Sequence, residues 1–282
     1  MFQSTLKSEV FLEGVGVHSG MPCSIFVHPA PMDAGITFRR DEYNVEARFD
    51  NVIETTLCTT LSLGPNRVST VEHLLAALHG LGVTNAIIET KDDEIPILDG
   101  SALPFVENFL SFGIEKQTRS AKILRVLDIV KVQEAEKWVS LSPADSFASG
   151  LSISIECDFS AKGLYTEPAF FNFATGDFAR EIAPARSFGF LADVEYLKKN
   201  NLARGASLES SLVFDNKGIS INESGLRLPN EAVRHKLLDI IGDLSLAQCH
   251  IIGQFDGFCP NHCMNNMLLR KLFEKSSNFK IT

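Results

Sequence analysis

Val71-Glu72-His73-Leu74-Leu75 is answered further along the chain by Val233-Arg234-His235-Lys236-Leu237, with Val, His and Leu in register. The first copy lies in residues 69–78, where Val71, Leu74, Leu75 and Leu78 fall at i, i+3, i+4 and i+7. That spacing makes the apolar stripe of a helix, which Gly80 and Gly82 stop. The second copy opens a helix predicted from near Asn230 towards Ala247, with Leu237, Ile240, Ile241 and Leu244 as its stripe. Each helix leads into an Ile-Ile strand, Ile87-Ile88 within residues 84–90 and Ile251-Ile252 within residues 250–255. A further helix follows each strand, over residues 103–110 and 264–274. Ahead of the first copy lie the Gly-rich residues 14–20 and a strand at 24–28 that Pro29 ends. Ahead of the second, residues 123–132, 137–141 and 151–157 are strand-like. This order predicts an α+β fold of two similarly built halves, each offering a His from the first turns of its main helix. The boundary is expected near residues 115–125, where 115–122 is the most polar, linker-like stretch. The expected domains are 1–120 and 121–282.

Composition agrees with two domains. The chain has 282 residues, 45% hydrophobic and 22% charged, which excludes disordered and fibrous classes. No apolar run approaches the roughly 18 residues of a membrane span. Residues 1–4 lack a basic region followed by an apolar core, so no signal peptide is read and a cytoplasmic location is expected. A net charge of −9, with Lys+Arg 26 against Asp+Glu 35, argues against a nucleic-acid partner but leaves room for a local phosphate pocket. Twenty-one Phe against 3 Tyr and 1 Trp suit a large dry core or a greasy substrate.

Six Cys are spread over the chain without an export signal, so a disulfide framework is not expected. Cys259-Pro260-Asn261-His262-Cys263 gathers three soft donors, but a structural zinc needs a second tight pair and only Cys249-His250 lies near. These cysteines are read as small apolar residues flanking a turn.

On the second main helix His235, Asp239 and Asp243 stand at i, i+4 and i+8, stacked on one face. A His and a carboxylate one turn apart can ligate a metal from a rigid support. The alternative is a surface pair worth about 0.2–0.5 kcal/mol. Glu72-His73 offers a third ligand and a general base at the start of the other helix. Against that, Ser69-x-x-Glu72 has the spacing of a capping box, which claims the same carboxylate. His18 in its Gly-rich turn is either a ligand or substrate contact, or a turn His. Lys236 either binds phosphate or is an exposed helix Lys. Residues 183–190 (APARSFGF) form either a substrate lip or a hydrophobic loop.

Three longer runs carry a resemblance. They are residues 69–74 (STVEHL), residues 94–101 (EIPILDGS), and Val233-Arg234-His235-Lys236-Leu237-Leu238-Asp239-x-x-Gly242-Asp243-Leu244. Together with residues 14–20, 186–190 and His262-x-x-Asn265-Asn266, they resemble the UDP-3-O-acyl-N-acetylglucosamine deacetylases, zinc amidases that commit bacteria to lipid A synthesis. The resemblance runs from about residue 3 to 274. It implies helices packed between two outer sheets, with one Zn²⁺ at the junction on His73, His235 and Asp239. Glu72 becomes the general base that activates water against the N-acetyl carbonyl. His262, oriented by Asp243, stabilises the oxyanion and protonates the leaving amine. Ser187 stands where the family usually has Thr; it keeps the donor but loses the methyl that fixes its rotamer. Lys236 is implied at the sugar–phosphate portion, Phe188 at the sugar or acyl region and His18 as a further substrate contact. Phe159 matches a uracil-stacking Phe, although residues 160–167 depart from the usual His-Pro continuation. An acyl-chain insert is implied near residues 191–213, with Leu202, Ala203, Leu208 and Val213 as lining. The expected partner is the UDP-acyl-sugar alone, bound by a monomer.

Two rival readings remain at this stage. A metal-dependent dehydratase of related two-half fold uses paired H-x-x-E-H clusters, which this chain lacks. A nucleotide-sugar-binding regulator needs no metal, and in it Glu72 only caps its helix.

Overall fold

The computed structural model describes residues 1–144 and 150–282. The first half runs β1 (Phe2–Leu6), β2 (Val10–Val15), β3 (Pro22–Pro29), β4 (Ile36–Arg40) and β5 (Tyr43–Glu46). A small sheet follows, β6 (Val52–Glu54), β7 (Thr60–Leu63) and β8 (Asn66–Val68). Then come α1 (Glu72–Gly80), β9 (Ala86–Thr90), α2 (Leu103–Phe112) and β10 (Ile114–Ser120). The second half runs β11 (Ile123–Val126), β12 (Val130–Glu134), β13 (Lys137–Ser142), β14 (Leu151–Glu156) and β15 (Ala169–Asn172). After these come α3 (Phe178–Glu181), β16 (Phe188–Phe190), α4 (Val194–Lys199) and β17 (Leu212–Phe214). The half ends with α5 (Glu231–Ser245), β18 (His250–Phe258), α6 (His262–Glu274) and β19 (Phe279–Ile281).

The echo in the sequence is an echo in topology. The first sheet has the order β2-β3-β9-β4-β5, antiparallel throughout except where β9 meets β4. In the second, β12-β13-β18-β14-β15 repeats that pattern, with β18 and β14 as its parallel pair. The outer strands repeat as well. β1 pairs antiparallel with β10, as β11 does with β19, while β11 also extends the start of β18.

Each sheet alternates, one face buried and one face wet, as antiparallel strands with a single packed face do. Val10 and Leu12, Ile25 and Val27, and Ile153 and Ile155 point inward. α1 is buried from Glu72 to Leu78 and α5 from Glu231 through Leu244 with few breaks, as helices enclosed between layers must be. α2 lies on β2, α5 on β14 and β15, and α6 on β12 and β13. α1 packs on both α2 and α5, and one continuous core joins the two halves. At the α1–α5 crossing a Cβ on Gly242 would stand 2.1 Å from the Glu72 carbonyl oxygen, so only glycine allows this approach. Gln248 ties the halves at the far end of α5. Its amide donates to the Ile36 and Ala47 carbonyls at 2.9 and 2.8 Å and accepts from the Ile36 N–H at 3.0 Å.

Several expectations need correction. Residues 115–122 are no linker: 114–120 form β10, whose polar side chains stand exposed because it belongs to a two-stranded ribbon. Residues 123–132 split into β11 and β12. Pro29 ends β3 from inside the strand, α5 stops at Ser245, β18 continues to Phe258 and α6 begins at His262. No helix among the described residues is long and apolar enough to cross a membrane.

Candidate active site

α1 and α5 meet so that the first turn of α1 faces the middle turns of α5. His73 Nε2 lies 3.8 Å from Asp239 Oδ1, and His235 Nε2 lies 3.3 Å from the same oxygen. The two imidazoles stand edge to face with centroids 5.0 Å apart. Among the described residues this is the group whose three donor atoms converge, all within 4.8 Å of one another.

The chemistry of these donors suits a metal. Burial pushes the His73 imidazole down to about 3, helped by the neighbouring His235, so it is neutral with a lone pair available. Burial also lowers His235, and its Nδ1–H donates to the Ala185 carbonyl at 3.0 Å, which turns a bare Nε2 towards the cluster. Burial would raise the Asp239 carboxyl, but Lys236 and His235 hold it well below the usual range; Lys236 Nζ donates to Oδ2 at 2.6 Å. Two neutral imidazoles and one carboxylate form a set a divalent cation fits.

Beside these three donors lies a second group of buried titratable side chains. Glu72 is buried, and its Oε2 accepts the Thr59 backbone N–H at 2.9 Å while Oε1 faces His262 Nε2 at 3.9 Å. Burial pushes Glu72 up to about 7, against the pull of His262. The capping box is therefore not made: Val71 caps α1 without a side-chain bond, and Ser69 Oγ accepts instead from Thr60 at 3.1 Å. His262 begins α6, whose N-cap Asn261 accepts the Met264 N–H. Its Nδ1–H donates to Asp243 Oδ2 at 2.8 Å. Burial alone would lower His262, but Asp243 and Glu72 push it up to about 9. Asp243 also accepts from Asn265 at 2.8 Å and from Thr59 Oγ1 at 2.6 Å.

The remaining expected residues gather round this centre. Ser187 Oγ stands 3.4 Å from His235 Nε2. Phe188 meets His235 edge to face at 6.1 Å and Phe159 at 5.3 Å, and Phe190 and Phe214 complete an aromatic cluster. His18 is half-buried near Glu94 and His262, and burial lowers it. Glu94 accepts the His18 and Ser19 N–H groups at 2.7 and 2.9 Å and pins their turn. Lys236 is not an exposed helix lysine; its side chain is 18% accessible and paired with Asp239. Of the expected acyl-chain lining, Leu202, Ala203 and Val213 are half-buried, whereas Leu208 is 50% exposed. The Cys259 Sγ accepts the Asp158 N–H at 3.2 Å at the bend after β18, whereas Cys263 is exposed within α6 rather than a small apolar residue beside a turn.

Residues 3–274 match the family model for UDP-3-O-acyl N-acetylglycosamine deacetylase. A UDP-3-O-acyl-N-acetylglucosamine deacetylase of Pseudomonas entomophila (strain L48) is 44% identical over 285 aligned residues, covering 99% of this chain and 92% of that protein. One of Thioalkalivibrio sulfidiphilus (strain HL-EbGR7) is 43% identical over 274, covering 96% and 89%. This chain belongs to that family.

Two features of the family site here escape sequence reading. Thr59 lies in residues 55–59 (TTLCT), ahead of β7, a short mixed run without periodicity. Arg186 and the fully buried Glu231 form a bidentate pair at 2.8 and 3.2 Å. Glu231 lies one turn before His235, so this pair and the Ala185 carbonyl hold the chain leading to Ser187 against α5. Arginine beside the Ser-Phe-Gly-Phe run was visible, but its partner 45 positions away was not.

Proposed function

We propose that this chain is a zinc-dependent amidohydrolase. It removes the N-acetyl group from UDP-3-O-acyl-N-acetylglucosamine, leaving UDP-3-O-acyl-glucosamine and acetate, the committed step of lipid A biosynthesis. The observation that carries the reading is the convergence of His73, His235 and Asp239 beside Glu72 and His262. Those three residues would hold one Zn²⁺. When bound, zinc supplies a Lewis acid that polarises an amide carbonyl and makes water nucleophilic at neutral pH.

Glu72 takes the proton from the attacking water, a role suited to a carboxyl raised to about 7. The hydroxyl of Ser187, at the rim beside His235, donates to the oxygen on which charge develops. His262, kept protonated by Asp243, adds positive charge there and then protonates the leaving amine. Lys236 steadies Asp239 and faces the sugar–phosphate portion. Phe188 lies against the sugar or acyl chain, Phe159 against the uracil, and His18 completes the substrate wall. Residues 191–213 form the acyl-chain insert. We place the domain boundary at 120/121, supported by the β1–β10 pairing, and read the enzyme as a cytoplasmic monomer. The test is metal analysis of freshly purified protein with an acetate-release assay on the UDP-sugar. About one zinc per chain and stoichiometric acetate are expected; metal-free protein that still binds the UDP-sugar normally would overturn the reading in favour of a binding protein.

A further inference from the structure

We infer that Thr59 is a positioning residue for the reaction, one side chain that sets both the base and the acid. The inference rests on the deacetylase reading above. Thr59 is 1% exposed and commits each of its polar groups. Its backbone N–H donates to Glu72 Oε2 at 2.9 Å, its hydroxyl donates to Asp243 Oδ1 at 2.6 Å, and its carbonyl accepts the Val71 N–H at 3.3 Å. It is thus bonded to carboxylates from both halves, one on α1 and one on α5.

The consequences differ for the two carboxylates. With Oε2 occupied, Glu72 turns Oε1 towards His262, so that the base and the acid face each other. With Oδ1 occupied, the carboxylate plane of Asp243 is fixed. Its Oδ2 then meets His262 Nδ1–H and Asn265 Nδ2 at 2.8 Å each, which fixes the plane of the imidazole. The hydrogen bonds of Thr59 go to Glu72, Asp243 and Val71 rather than to the proposed metal ligands, so its effect lies in the geometry of proton transfer. The two bonds are separable by mutation, because the N–H survives any ordinary substitution and the hydroxyl does not. Valine keeps the shape of threonine and leaves Asp243 Oδ1 without its donor.

Thr59→Val is expected to lower kcat about 10–100-fold, as losing a hydrogen bond behind a reacting group commonly does. KM stays within about twofold and zinc content is unchanged. Thr59→Ser, which restores the donor, returns kcat to within about threefold of wild type, the remainder reflecting a freer rotamer. In metal-free protein the downfield proton resonance of His262 Nδ1–H should move in Thr59→Val and return in Thr59→Ser. A Thr59→Val enzyme with wild-type kcat, or a loss that Thr59→Ser shares in full, overturns the inference. If Thr59→Val fails to fold, Thr59→Ala and Thr59→Ser are read by the same two measurements. A wild-type protein that releases no acetate overturns the deacetylase reading instead, and the resonance comparison still decides whether Thr59 holds His262 through Asp243.

Discussion

The two halves share a five-strand order with a parallel pair at the same place in each, yet they carry different things in the same slot. Between its fifth strand and main helix, the first half places the β6–β8 sheet. Between the matching elements, the second half places α3, β16, α4 and β17. The common scaffold brings two helices together and thereby His73, His235 and Asp239. The unlike inserts bring what a mere metal site lacks: Thr59 from the first, and Arg186, Ser187 and Phe188 from the second. In the proposed site, ligation and proton transfer are separate tasks carried by helices the halves share, and the groups that position them or meet substrate come largely from where the halves differ.

The most severe way to break that division is Glu72→Gln. Turnover should fall about 10²–10⁴-fold with zinc retained, read by acetate release beside metal analysis. A loss of zinc along with turnover would mean that ligation and proton handling are not separable. Next, Glu231→Ala strips the partner from buried Arg186 and should cost about 3–5 kcal/mol by denaturant unfolding. It should also weaken zinc binding, since the Ala185 carbonyl behind His235 loses its anchor; unchanged affinity would show that the second insert does not support the ligands. Gly242→Ala attacks the shared scaffold. Its methyl meets the Glu72 backbone, and a cost of about 1–3 kcal/mol in unfolding is expected as α1 and α5 part.

The mildest probe is pH, about tenfold per unit beyond each limb. Glu72 must be ionised to take a proton, so kcat/KM falls as pH drops below about 7. His262 must be protonated to give one, so kcat/KM falls as pH rises past about 9. The acid limb thus belongs to the first half and the alkaline limb to the second. His262→Gln should remove the latter and move the acid limb to higher pH, because the His262 charge holds Glu72 down.

What the sequence disclosed follows from how its signals arise. The helices were legible because a buried stripe must recur at 3.6 residues, and α1 and α5 are nearly all core. The i, i+4, i+8 spacing of His235, Asp239 and Asp243 placed them on one face, and the resemblance assigned them tasks. Glu72 was left between two roles because a capping box and a catalytic carboxylate look alike in one dimension. Only the Thr59 bond and the buried position separate them. β10 looked like a linker because its partner β1 supplies the buried residues of their ribbon, while its own side chains are mostly polar and exposed and carry no apolar alternation. Lys236 looked exposed because its burial depends on a carboxylate one turn away and on neighbours such as Cys157 far off in the sequence. Thr59 and the Arg186–Glu231 pair are contacts across distance, which local periodicity does not encode.

The outer strands carry a consequence for how such a molecule is assembled as a unit. Because β1 lies beside β10 and β11 beside β19, the chain enters and leaves each half at neighbouring points. A half with adjacent doorways can be copied in tandem, or joined in the reverse order through a short bridge, without rethreading any strand. Modularity of that kind leaves the interior cassettes free to diverge while the frame that aligns the helices stays the same.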